Sequence, residues 1–225
     1  MCSPFNPILL RQRITPSVAS TAQTPAVEMI LGREHYIYTF THLHIYTFTH
    51  YSMNLLQSFI PITTFIFDLD GVLTDGNILV YESGEQVRRM SVKDGYALRL
   101  AVKKKYRVAV FSGANGTGAK KRLLKLGIED VFLQVPDKKQ KIEEYLELHR
   151  LQWKEILYMG DDIPDYSVLK MAGLPCAPSD AVPEVLQAAK YISTFPGGKG
   201  CVRDVIEKVL RLHDNWDLET SVVSG

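Results

Sequence analysis

Two carboxylates, Asp68 and Asp70, stand two residues apart where an apolar run, "TFIF", meets a glycine turn. A carboxylate at the end of an apolar strand is costly unless something pairs with it. Three later stretches carry matching chemistry: Ser112-Gly113, a hydroxyl beside a glycine backbone; Asp137-Lys138, an ammonium; and "GDDIPD", with Asp161, Asp162 and Asp165. Together they suit phosphoryl transfer. Asp68 and Asp161 are of the type that holds a hard cation such as Mg²⁺ through oxygen, with phosphate and water as the other ligands. A cation there lets a carboxylate approach a phosphate dianion, so Asp68 is expected to be the nucleophile as well. Asp70, on the same side of an extended chain, is expected to protonate the leaving oxygen and then to take a proton from water, and is counted with Asp68 and Asp161 among the metal ligands. Asp162 and Asp165 are expected just outside the ligands. Ser112, Gly113 and Lys138 would hold the oxygens that are not transferred. Each stretch alone reads equally well as a turn, a helix cap, an acidic first turn or a surface charge. Four in order, with an acidic cluster that would repel itself without a cation, favour catalysis.

The elements that must position these groups follow from periodicity. Strands are expected at 63–67, 107–111, 131–133, 155–160, 174–176 and 190–192. Helices are expected at 94–105, before "LLKLGI" with Gly127 as its C-terminal stop, and at 138–149, 164–171 and 200–212. The stretch 78–92 reads as a hairpin about Ser83-Gly84-Glu85. Alternation of strand and helix argues for an α/β fold with a doubly wound parallel sheet, in which ligands sit at the carboxyl ends of the strands. Each chemical stretch follows such a strand.

The chain has 225 residues, 46% hydrophobic and 23% charged, with net charge +1. That balance offers no reason to expect nucleic acid or an anionic membrane as partner. Cys2, Cys176 and Cys201 are too few and scattered for a disulfide framework or zinc site, and fit a reducing, cytoplasmic setting. No apolar run reaches the roughly 20 residues of a membrane helix. Residues 1–52 hold a near-duplicate, "IYTFTHLHIYTFTH", and four of the six histidines (His35, His42, His44, His50), but no sustained period. They are expected to be an irregular or non-native extension, with Met53 a plausible start, 53–215 the domain and 216–225 a flexible tail.

"DLDGVLTDG", "FSG", "DK" and "GDDIPD" resemble the four motifs of the haloacid dehalogenase-like phosphatases, over about 65–212. The finer resemblance is to the branch acting on a 3-deoxy-octulosonic acid phosphate, and rests on "SVKDGYALRLA", "RLLKLGIEDVF" and "PGGKGCVRDVIEKVL". It implies Mg²⁺ dependence, an aspartyl-phosphate intermediate, a hairpin flap with no large cap domain, and a homotetramer whose tails close neighbouring sites. It also implies substrate contacts from Ser91, Val92, Lys93, Asp94 and Gly95, from Arg122, and from Gly197, Gly198, Lys199 and Arg203. One departure stands out: the branch often reads Thr-Gly-Arg where this chain has Ser112-Gly113-Ala114. The expected function is hydrolysis of the eight-carbon sugar-acid 8-phosphate in lipopolysaccharide precursor synthesis. A nine-carbon acid 9-phosphate is the alternative. A phosphotransferase, which needs a cap to exclude water, and a non-catalytic assembly module are weaker ones.

Overall fold

The computed structural model describes residues 55–217. The extension at 1–52 with its histidines lies outside them, as does the tail beyond 217. Six parallel strands form one sheet in the order β5 (Asp130–Phe132), β4 (Arg107–Phe111), β1 (Thr64–Phe67), β6 (Ile156–Met159), β7 (Leu174–Ala177), β8 (Tyr191–Ile192). A separate antiparallel hairpin pairs β2 (Leu79–Val80) with β3 (Gln86–Val87). An isolated Thr74–Met90 bridge lies just beyond it.

β1 is buried along its whole length, as a central parallel strand covered on both faces should be. Its side chains divide between two cores. Phe65 and Phe67 join Val108, Val110, Leu157 and Met159 on one face, beneath helices α1 (Val92–Lys103), α2 (Thr117–Lys125) and α6 (Cys201–Leu212). Ile66 joins Ala109, Phe111, Ile156 and Tyr158 on the other, beneath α3 (Lys138–His149), α4 (Tyr166–Leu169) and α5 (Pro183–Ala188). From β1 the chain moves outward through β4 to β5, and from β6 it moves the opposite way through β7 to β8. The switch point therefore lies between β1 and β6, where open α/β sheets bind ligands.

The strand at 107–111 and the helix at 138–149 fall where the periodicity puts them. Three differences have local causes. The helix expected at 164–171 is a 3₁₀ turn, Ile163–Asp165, leading into the single turn of α4. α5 was not anticipated, since six residues opening on Pro183 are too short for a periodic signal. Packing extends past 215, because Trp216 is half-buried with its ring edge-on to Tyr96 at 6.1 Å. Among the described residues no helix is long and apolar enough to cross a membrane.

Candidate active site

The register Phe67↔Met159, continued by a bond from the Asp68 amide to the Met159 carbonyl at 3.0 Å, sets the ends of β1 and β6 side by side. After Asp68 the chain makes one wide turn, closed by Thr74 N donating to the Leu69 carbonyl at 3.0 Å. Gly71 takes a φ of +86° within it, and a β-carbon there would lie 1.9 Å from Asp161 Oδ2. Only glycine fits that close approach of the β1 turn to the carboxylate beyond β6. Gly197 packs against the same turn, where a β-carbon would lie 1.9 Å from the Gly71 carbonyl oxygen.

The strand ends line a cavity of about 280 Å³, bordered by Asp68, Asp70, Ser112, Gly113, Lys138 and Asp161, with Asp162 and Asp165 also on its wall. Lys138 opens α3, behind the Asp137 cap, and turns back into the sheet edge. Its Nζ lies 2.9 Å from Asp68 Oδ1 and 2.6 Å from Asp165 Oδ1. Asp165 is fully buried and accepts from the Tyr158 hydroxyl at 2.5 Å and from the Asp161 amide at 3.0 Å. It thus orients the lysine and the loop carrying Asp161. Ser112 is buried, and its Oγ accepts from the Ala114 amide at 3.1 Å. Asp162 caps the 3₁₀ turn through the Ile163 amide.

One oxygen from each of Asp68, Asp161 and Asp165 lies within 4.8 Å of the others. Burial pushes Asp161 up to about 8, with Asp68 and Asp165 adding to the rise and Lys138 opposing it. Burial also raises Asp68, and Asp165 raises it further, against the pull of Lys138 and the Leu69 amide. Burial works against the Lys138 ammonium, but Asp68 and Asp165 outweigh it and its pKa ends above the ordinary value. Three carboxylates thus face one ammonium, and Asp161 Oδ1 is buried with no hydrogen-bond partner. An oxygen-rich cluster with too little positive charge and an orphaned acceptor fits a hard divalent cation.

The carboxylate of Asp70, expected beside the metal, is engaged elsewhere. Arg88 grips it bidentately, Nε to Oδ1 at 2.7 Å and Nη2 to Oδ2 at 3.0 Å, and Thr74 Oγ1 donates to Oδ1 at 3.3 Å. Sequence reasoning missed Arg88 and Tyr158. The tyrosine had a signal: a phenol inside an apolar strand needs a partner. The arginine had none, because the fold of the hairpin brings it to Asp70.

The residues expected to contact substrate are spread over other surfaces. Arg122 and Val92 line a second cavity of about 750 Å³ beside the hairpin. Lys93, Lys199 and Arg203 line a third, of about 570 Å³, along α6. Ser91 caps α1 through the Asp94 amide at 3.2 Å, and Gly95 is buried in its first turn. Asp94 turns inward and caps α6, accepting from the Gly200 amide at 3.1 Å and the Arg203 amide at 2.8 Å. Gly200 has no side chain to do this itself. Gly198 donates to the Val72 carbonyl at 2.9 Å.

Residues 127–201 match the family model described as haloacid dehalogenase-like hydrolase. The 3-deoxy-D-manno-octulosonate 8-phosphate phosphatase KdsC of Yersinia pestis is 31% identical over 169 residues, 75% of this chain and 90% of the relative. The chain belongs to the KdsC phosphatase family. It is a phosphoric monoester hydrolase of the haloacid dehalogenase-like class. The crystal structure of the Yersinia pestis KdsC superposes with a TM-score of 0.70 at 32% identity, covering 72% of this chain and 87% of that one. A Moraxella catarrhalis KdsC, solved with magnesium, phosphate and KDO, gives a TM-score of 0.69 at 27% identity, covering 72% and 93%.

Proposed function

We propose that this KdsC-family chain hydrolyses 3-deoxy-D-manno-octulosonate 8-phosphate to the free sugar acid and phosphate, as a Mg²⁺-dependent step in lipopolysaccharide precursor synthesis. The observation that carries the reading is the buried Asp68–Asp161–Asp165 cluster with its single ammonium and its orphaned Asp161 oxygen. Asp68 and Asp161 are the carboxylates assigned to the cation, with Asp165 behind them holding Lys138 and the loop amides. Bound there, the cation would neutralise charge on the phosphate oxygens.

In this reading Asp68 attacks phosphorus in line and the sugar oxygen leaves with a proton from Asp70. Asp70 then takes a proton from the water that hydrolyses the aspartyl phosphate. Lys138, Ser112 and the Gly113 amide hold the oxygens that stay on phosphorus. The assembly proposed is a homotetramer in the cytoplasm. Its support is the hairpin, which exposes Leu79 and its cross-strand partner Val87, with Tyr81 on the same face and Val80 on the other. An exposed apolar patch of this kind marks an interaction surface.

A second reading keeps the chemistry and changes the substrate to a nine-carbon acid 9-phosphate. Its motive is Ala114, which follows Ser112-Gly113 where the branch often carries an arginine, so the sugar acid is met by other groups. Phosphate release from both sugar-acid phosphates and from neutral sugar phosphates, with Mg²⁺ and with a chelator, separates the two. Metal-dependent preference for the octulosonate ester supports the first. Preference for the nine-carbon ester supports the second, and equal rates on neutral sugars overturn both.

A further inference from the structure

Arg88 follows β3 directly, and its side chain is only 5% exposed. A guanidinium withdrawn that far from water needs strong partners. Two of its five N–H donors are spent on Asp70. Arg88 also lines the 750 Å³ cavity, together with Lys121, Arg122 and Glu85. Asp70 lines the 280 Å³ cavity. Arg88 therefore grips Asp70, on the wall of one cavity, and itself stands on the wall of the other beside Lys121 and Arg122.

We infer that Arg88 is a positioning residue for Asp70 and that it links the acid–base step to an anionic group of the substrate lying in the larger cavity. The inference rests on Asp70 being the acid–base group of the phosphatase proposed above. As the Asp68 oxygen bonds to phosphorus, the ester P–O bond breaks and its electron pair stays on the sugar oxygen, which takes the proton of Asp70. Arg88 Nε keeps Oδ1 in place through the shorter contact. Oδ2, with the longer contact to Nη2, is then the oxygen that serves the leaving group, and Nη2 turns to the substrate's carboxylate. A substrate lacking that carboxylate leaves Nη2 on Oδ2, so the penalty falls on kcat as well as on KM.

The test compares Arg88→Ala, Arg88→Lys, Asp70→Asn and the double variant Asp70→Asn/Arg88→Ala with the parent. The probes are octulosonate 8-phosphate, glucose 6-phosphate and 4-nitrophenyl phosphate, whose leaving group needs little protonation. Arg88→Ala should lower kcat on octulosonate 8-phosphate by about 100-fold and on the aryl ester by less than about fivefold. Arg88→Lys, which keeps charge but loses the fork, should recover only part of the loss. The double variant should be no worse than Asp70→Asn, and the parent's kcat advantage for the sugar acid over glucose 6-phosphate should vanish in Arg88→Ala. Equal losses on alkyl and aryl esters, or additive losses in the double variant, would overturn the inference. If the parent itself prefers no sugar acid, the proposed substrate falls. The alkyl-to-aryl comparison, made with whichever alkyl ester the parent hydrolyses, still decides the role of Arg88. Arg88→Lys decides it if Arg88→Ala does not fold.

Discussion

Asp68, Asp161 and Asp165 converge where burial makes negative charge expensive, and Lys138 is the ammonium set among them. The native fold holds protons on Asp68 and Asp161 to higher pH than an unfolded chain, whose carboxylates titrate near 3.8. Between about pH 4 and pH 8 the unfolded state therefore binds fewer protons, and stability falls as pH rises. Without metal, the thermal midpoint should drop between about pH 5 and pH 8, and Mg²⁺ should raise it more at the upper end. A midpoint that stays level with chelator present, or a Mg²⁺ shift independent of pH, would contradict this cluster's electrostatics. Lys138→Ala removes the partner of a fully buried carboxylate. It should cost about 3–5 kcal/mol in chemical denaturation as well as activity. The chemical types at these positions were legible in the sequence, because acidic, hydroxyl and ammonium groups each followed a strand. Which carboxylates share a centre was not legible. The grip of Arg88 on Asp70 spans 18 residues through a hairpin whose geometry no local pattern encodes.

The elements place the site through close backbone approach. Gly71→Ala adds a methyl group against Asp161 Oδ2 at a left-handed position. It should abolish turnover and weaken metal binding measured by calorimetry, and normal Mg²⁺ affinity would show that the turn has room to shift. Asp94→Ala strips two donors at the start of α6 of their acceptor. It should lower stability by about 1–3 kcal/mol, read as a fall in denaturation midpoint. The motif "SVKDG" predicted a role for Asp94 in substrate contact. Its side chain instead turns into the protein, because an N-terminal glycine cap on α6 leaves amides that another element must satisfy. Strand and helix positions were the readiest features to read, since β4 and α3 are each bounded by residues with their own signals. α5 was beyond reach, being one short stretch after a proline.

At the scale of the molecule, a doubly wound sheet brings the ends of β1, β4 and β6 and the start of α3 to one site, and the hairpin beside it leaves Leu79, Tyr81 and Val87 in solvent. Leu79→Asp with Val80→Asp should yield a folded species of lower mass by light scattering. Unchanged mass would remove the hairpin from the assembly surface. Parallel topology and the position of the site were readable from alternating elements, whereas the cavities beside the hairpin and along α6 arise only when α1, α2, α6 and the hairpin pack together. The central claim is that Asp68 attacks the phosphate of an octulosonate ester. Its most direct test is phosphate release from octulosonate 8-phosphate with Mg²⁺, by the parent chain and by a folded Asp68→Asn variant side by side. The parent should turn the ester over, and the variant should lose about 10⁴-fold or more. Activity in the variant within tenfold of the parent would contradict it.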